Sequence, residues 1–471
     1  MFARLKAIPY LPLLLGLTLL RLLAAARAGL VPDEAYYWLW AQHPAFGYYD
    51  HPPMVAWWIA AFAFASKAAL CVRLPFILGF LALCWLVYDA GKALFDQTIA
   101  RRALLWLNAC LLLSIGTVVA TPDPPSVLMW AGGLWALARL VKSGDGRWWL
   151  VFGLFAGLGV EAKYTNLFLG LGVLVWLIME RDARRWLTSP WLWLGGVIAI
   201  MIMAPNLIWN AQHGWITVAK QFGRIGASHL TARYLLEFLL TQPLLLNPFI
   251  AAFAGLTIVR WFKARTAATT LLIALPLPLI LYLLVHVFHD RIQGNWTAPV
   301  FPGLVLLASS AGDAWRWARK AAAPFGIGVS ALALGFLALG DQAPPLGAAG
   351  QTQGWDGLAQ RIEAARKTTG ADWIASTDYD LQGELAYHLG PQAVAATAER
   401  ARYAWAGRDP AGKALIVVAA GHAPKLDRCF SNLQDLGAVT RGQTSSRKAP
   451  SHKTDVRLYT GVPRAPGCDA D

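Results

Sequence analysis

The sequence predicts a mainly α-helical polytopic membrane protein of about eleven transmembrane helices, followed by a small C-terminal α/β domain. Three observations predict this. Hydrophobic residues make up 57% of the 471 positions, and mean hydropathy is +0.45. Apolar runs of about 17 to 25 residues, the length that crosses a bilayer, recur as far as residue 340. Lys and Arg gather between alternate runs, which is the pattern that orients helices in a membrane. The net charge of +14 is accounted for by these flanking residues, so nucleic acid is not expected as a partner.

The first run, about 7–26, follows Arg4 and Lys6. Ala24-Ala25-Ala26 resembles a small-residue cleavage site, but the run is long for a signal peptide, and an uncleaved span is expected. With the basic N-terminus inside, this span leads to an outer loop over 27–66. Within that loop, 55–66 is apolar, carries paired Trp57 and Trp58, and is followed by Lys67 and Arg73. It is expected to lie in the interface, because counting it as a span would reverse every later loop.

Further spans are expected at about 74–95, 103–120, 126–141, 148–162, 166–180, 190–209, 243–260, 267–286, 298–312 and 324–340. The inner loops between them carry Lys92, Arg101 and Arg102; Arg139, Lys142 and Arg147; Arg181, Arg184 and Arg185; Arg260, Lys263 and Arg265; and Arg316, Arg319 and Lys320. This places the N-terminus in the cytoplasm and the C-terminus outside.

Residues 1–340 therefore form the membrane domain and 341–471 a separate outer one. Ala343-Pro344-Pro345 opens a linker that runs to Gly350. The short apolar runs 373–375 and 414–420 read as buried strands, and 357–367 and 381–388 have helical patterning. Of five cysteines, Cys71, Cys84 and Cys110 sit in apolar stretches. Cys429 and Cys468 could pair if the C-terminal part is extracytoplasmic.

Candidate chemistry concentrates at the outer ends of the spans. The stretch 31–53 holds Asp33, Glu34, Asp50, His43 and His51 among many Tyr and Trp, residues that favour the membrane–water interface. Arg73, Asp123, Glu161, Lys163, Tyr164, His213, Arg224, Asp290 and Arg291 fall at the same inferred face. Ionisable groups near a bilayer are costly and need a reason. A cavity with both signs of charge suits a substrate with a phosphate leaving group. A carboxylate takes a proton from the acceptor, and Lys or Arg offsets charge on the departing phosphate.

Each of these residues also has a plainer reading. Asp33 could be an N-cap. Glu34 is its neighbour and does not share its helix face. Asp50-His51-Pro52-Pro53 could be a turn, and Asp123 could simply start a helix. Asn206, Asn210 and His213 fall on one face at i, i+4, i+7 and could form an interfacial network. No Walker loop, GxGxxG after a strand, HExxH or GxSxG occurs. No cofactor is required by these patterns. Asp33, Asp50 and His51 could still take a divalent metal, although their spacing does not establish one.

Taken in order, several motifs resemble the GT-C type glycosyltransferases that use polyprenyl-phosphate sugars, the protein O-mannosyltransferase-like group that includes bacterial lipid A aminoarabinose and galacturonic acid transferases. They are PDEAYYWLW (32–40), YYDHPPMVAWW (48–58), RLP (73–75), TPDPP (121–125), AKYT (162–165), PNLIWNAQHGW (205–215) with Gln221 and Arg224, and RIQGNWTAP (291–299). TDYDLQGELAYHLG (377–390), with Tyr403 beyond it, also resembles the outer domain of bacterial members.

The resemblance implies a GT-C fold, a polyprenyl-phosphate sugar donor, a lipid, glycolipid or protein acceptor, and inverting transfer at the periplasmic face of a bacterial inner membrane. It implies that Asp33 is the base. Asp50 matches the loop's second acid, and Asp123 an acid at the start of the fourth span. Lys163 and Arg291 match basic positions and are the expected phosphate partners, while Arg73 could be structural. His51 stands where the aminoarabinose transferases have lysine. A lipid or solute transporter and a non-catalytic scaffold are the competing classes. Charges at one face rather than at the midplane argue against a transporter.

Overall fold

The computed structural model describes residues 9–223, 230–345, 347–407, 410–419, 424–441, 455–465 and 467–470. Arg4, Lys6 and Arg224 lie outside the described residues. The chain divides into two compact units. One comprises Met1–Leu22, His51–Val55 and Leu74–Gly335; the other comprises Leu23–Asp50, Ala56–Arg73 and Phe336–Asp471. The division at 335/336 falls near the boundary read from sequence. The sequence does not reveal that 23–50 and 56–73 pack with the C-terminal part.

The first unit is helical. Ala69–Leu94, Pro190–Gln212, Ala267–His286 and Arg316–Ala338 are each long and apolar enough to cross a membrane. Leu11–Arg27 with Pro32–Ala41, and Leu235–Leu246 with Pro248–Trp261, reach that length only as pairs, bent by 85° and 103°. By length and composition the described residues hold four spanning helices, or six if each bent pair counts as one, against about eleven expected from hydropathy. Met54–Ala63, Trp148–Ala162 and Tyr164–Met179 are apolar but shorter. The expected interfacial segment 55–66 is thus a helix of 10 residues, too short to span.

The run 103–120 is two helices, Gln97–Asn108 and Leu111–Gly116, rather than one span. Asn247, at φ 99°, makes the turn between Leu235–Leu246 and Pro248–Trp261. Its Nδ2 donates to the Ala109 carbonyl at 3.2 Å and to the Ala322 carbonyl at 2.8 Å. One buried amide therefore satisfies a carbonyl at the break after Asn108 and bonds a second inside helix Arg316–Ala338, as non-helical backbone in an apolar setting requires. Arg21 serves the second piece similarly, donating through Nε to the Ser114 carbonyl at 3.1 Å and through Nη2 to Ser114 Oγ at 2.7 Å. Close helix contact elsewhere rests on glycine. A Cβ on Gly153 of Trp148–Ala162 would lie 2.1 Å from the Gly195 carbonyl oxygen of Pro190–Gln212.

The second unit holds a five-stranded sheet. Its strands are β1 (Trp373–Ser376), β2 (Val394–Ala396), β3 (Ala414–Ala419), β4 (Phe430–Thr440) and β5 (Asp455–Pro463), in the order β2-β1-β3-β5-β4. β1 pairs in parallel with β2 and β3, and β5 lies antiparallel between β3 and β4. Alternation along the strands builds two cores. Ile374, Leu415 and Val417 pack with the helices Trp355–Thr369 and Tyr379–Leu389. Trp373, Ile416 and Val418 pack on the other face with Leu426, Phe430 and the Cys429–Cys468 disulfide. The strands and helices expected at 373–375, 414–420, 357–367 and 381–388 are all present.

Helix Tyr379–Leu389 also packs against Pro32–Ala41. A Cβ on Gly383 would stand 2.7 Å from the Tyr36 backbone nitrogen, so only glycine allows this approach. Tyr379, Gly383 and Tyr387 recur at i, i+4, i+8 and share that face. The Tyr387 ring meets Trp38 edge-on at 5.1 Å.

Candidate active site

In the second unit, the acids Asp33, Glu34 and Asp50 have separate environments. Val31 is the N-cap of Pro32–Ala41, so Asp33 stands in the first turn and does not cap the helix. Glu34 is fully buried. It accepts from Arg73 Nε at 2.7 Å and from Arg73 Nη2 at 2.5 Å, and from the Val31 N–H at 3.0 Å. Arg73, itself buried, also donates to the carbonyls of Ala25, Ala28 and Gly29. Both are candidate substrate contacts in the sequence, where a structural role for Arg73 is also open; in the structure they form a pair that ties the start of Ala69–Leu94 to the turn before Pro32–Ala41.

Asp50 accepts from the Tyr36 hydroxyl at 3.0 Å and pairs with the Arg402 guanidinium. Arg402 Nη2 also binds Glu399 at 2.9 Å, and its guanidinium carbon stands 4.6 Å from the Tyr379 ring and 5.1 Å from the Tyr49 ring. Asp33 is exposed to water and accepts from the Tyr379 hydroxyl at 3.4 Å. The protein crowded around it raises its pKa above the ordinary carboxylate range by loss of hydration, with the charges of Asp50 and Glu34 adding to this. The Tyr379 bond and the Arg402 charge act the other way.

In the first unit, Asp123 opens helix Asp123–Ser143. Its Oδ1 receives Lys163 Nζ at 2.7 Å and its Oδ2 receives Asn295 Nδ2 at 2.6 Å. Lys163 stands in extended backbone just past Trp148–Ala162. Asp123 and Asn295 also border a half-open cavity whose walls are mostly apolar, among them Phe76, Phe80, Leu113 and Val127. The arrangement is a greasy groove with a charged end.

Tyr164 donates to Asn206 Oδ1 at 2.8 Å and accepts from Asn210 Nδ2 at 3.1 Å, which realises the network the asparagine spacing allowed. His213 leaves that face. It ends helix Pro190–Gln212 at φ −111°, exposed, with its ring stacked on Trp209 at 4.0 Å. Arg291, expected at a phosphate, is exposed and binds Glu237 Oε1 through Nε at 2.8 Å. His51 is half-buried. Among the described residues no group of three or more His, Cys, Asp or Glu side chains is placed to hold a metal ion, so Asp33, Asp50 and His51 do not form such a set.

The sequence reading gave no role to Asn295, Tyr379 or Arg402. Tyr379 carried a signal in the Tyr-x3-Gly-x3-Tyr spacing of a motif already in view. Arg402 carried none, because its function depends on a residue 352 positions away.

Residues 50–209 match the family described as dolichyl-phosphate-mannose-protein mannosyltransferase. The lipid A galacturonosyltransferase RgtD of Rhizobium johnstonii is 26% identical over 285 residues, which is 59% of this chain and 59% of that protein. This chain thus spans under two thirds of that relative's length. ArnT from Cupriavidus metallidurans, solved bound to undecaprenyl phosphate, superposes with a TM-score of 0.68 at 15% identity, covering 95% of this chain and 98% of that one. The archaeal oligosaccharyltransferase AglB from Archaeoglobus fulgidus gives 0.51 at 10% identity, covering 83% and 64%. The resemblance read from the ordered motifs is borne out: this is a multi-span membrane protein with the ArnT-like GT-C fold, and residues 50–209 are similar to the dolichyl-phosphate-mannose-protein mannosyltransferase family.

Proposed function

We propose that the chain is an inverting glycosyltransferase that moves a sugar from a polyprenyl-phosphate donor to a glycolipid of the lipid A type. The observation that carries this reading is the condition of Asp33. It is water-accessible and bound to a hydroxyl, whereas Glu34 and Asp50 are neutralised by Arg73 and Arg402. A carboxylate in that state can accept a proton.

In the step assigned here, the acceptor hydroxyl oxygen bonds to the anomeric carbon as the bond from that carbon to the phosphate oxygen breaks. The electron pair stays on the polyprenyl phosphate, and the hydroxyl proton passes to Asp33. Lys163, oriented by Asp123 and Asn295, offsets the charge growing on phosphate. The apolar groove beside Asp123 takes the first isoprene units. The donor already carries an activated sugar, so no step is assigned to a nucleotide.

The reading puts the C-terminal part on the periplasmic side of the inner membrane. The basic inner loops support this, as does the Cys429–Cys468 disulfide, which persists in oxidising compartments. The test is Asp33→Asn in cells that carry no other copy, read by mass spectrometry of the envelope lipids. The sugar increment should fall at least about a hundredfold while the protein still inserts and forms its disulfide. An unchanged increment removes Asp33 as base.

A further inference from the structure

Within the second unit, the C-terminal segment hydrogen-bonds the candidate base through Tyr379. Three local features fix where this residue stands. Asp378 caps its helix, accepting from the N–H groups of Asp380 at 2.9 Å and Leu381 at 3.2 Å. Gly383, one turn on, lets that helix approach Tyr36 closely. The Arg402 guanidinium lies against the Tyr379 ring at 4.6 Å and is itself held by Asp50 and Glu399. Tyr36 closes the arrangement, edge-on to Tyr379 at 5.3 Å and bonded to Asp50. The cluster is aromatic and mostly buried, so the Tyr379 hydroxyl has little freedom to move.

We infer that Tyr379 is a positioning residue, and that Arg402 acts through it. The Tyr379 hydroxyl holds Oδ1 of Asp33, which leaves Oδ2 to take the acceptor proton. Arg402 braces the ring and draws Asp50 away from Asp33. This rests on Asp33 being the base. The 3.4 Å contact is long for a hydroxyl–carboxylate bond, and such contacts commonly tighten only when substrate is bound. The arrangement explains why the outer domain is packed onto the first outer helix: it supplies the group that orients the acid.

The groups that act on Asp33 are Glu34 on its own helix, Asp50 on the following loop, Tyr379 and Asp380 on the C-terminal helix, and Arg402. Of these, Tyr379 and Arg402 favour the ionised acid. Removing the Tyr379 hydroxyl therefore raises the pKa of Asp33, and the acid limb of the rate profile moves to higher pH.

The experiment uses purified full chain with polyprenyl-phosphate galacturonic acid as donor probe and lipid A as acceptor. Tyr379→Phe should lower kcat about tenfold, leave KM for lipid A within about twofold, and shift the acid limb of kcat/KM upward. Tyr387→Phe, on the same helix face and outside the site, should behave as the parent. Arg402→Lys keeps the charge and loses the planar contact. It should lower kcat and shift the limb the same way, and the double variant should lose no more than the worse single one. Additive losses would break the link between the two residues. A parental kcat and acid limb in Tyr379→Phe would overturn the inference. If Asp33→Asn is inactive in the same assay, that failure leaves the base assignment standing; if Asp33→Asn is active, the assignment itself has failed. Should Tyr379→Phe melt early, the Arg402→Lys pH profile decides alone, because Lys still pairs with Asp50 and a purely structural role would not move the limb.

Discussion

One guanidinium, that of Arg73, binds both carboxylate oxygens of Glu34, at 2.7 and 2.5 Å, and both side chains are excluded from water. Such a pair is worth little net of the hydration it gives up, yet breaking it strands a buried charge. Arg73→Met should therefore destabilise the folded protein by about 3–5 kcal/mol, whereas Glu34→Leu with Arg73→Met should cost far less. Thermal unfolding in detergent measures both. A singly substituted protein as stable as the parent would show that the pair does not hold this turn.

Lys163 and Asp123 form a pair of a different kind, with side chains 10% and 14% exposed at the end of an apolar groove. Lys163→Met should lower kcat/KM by about a hundredfold, the usual cost of removing one group that stabilises developing charge. Asp123→Asn keeps a hydrogen-bond partner for the ammonium and should cost about tenfold. Steady-state kinetics with varied lipid donor separates these outcomes, and an unaltered kcat/KM in Lys163→Met takes Lys163 away from the phosphate.

Asp380, at the start of helix Tyr379–Leu389, has its pKa pushed up to about 7 by burial first and then by the charges of Asp378 and Asp33. Its folded value lies above the unfolded one, so the folded state holds the extra proton. Stability therefore falls as pH rises from about 4 to about 7. Asp380→Asn removes that penalty. It should raise the melting temperature at pH 8, by about 2–4 kcal/mol in stability, and change little at pH 4. A parental melting curve at pH 8 would mean that Asp380 is ionised at no cost in the native state.

Much of the fold is legible in the chain because burial in lipid and burial in a core both write simple patterns. The span Pro190–Gln212 and the strands at Trp373 and Ala414 follow from apolar length and alternation, whereas the Cys429–Cys468 pairing was one open alternative in the sequence and is made in the structure. The candidate base, Asp123 and Lys163 were each visible in motif order, but that the last two pair was not. Helix continuity was less visible. Pro248 marks the helix start after Asn247, but the break after Asn108 lies in a run of mostly apolar residues, and what permits it is the Asn247 amide, which reaches the Ala109 carbonyl from 138 positions away.

The sequence by itself determined which stretches are apolar and which residue types could do the chemistry. Only the tertiary structure decided which of those charges are free to act. Glu34, Asp50 and Asp33 look alike along the chain, and Arg73, Lys163 and Arg291 look alike as cations. Their fates differ because an ion pair is set by distance and burial, and both come from packing between segments far apart in sequence. Arg73 neutralises Glu34, Arg402 neutralises Asp50, Glu237 holds Arg291 at the surface, and Tyr379 leaves Asp33 open to water.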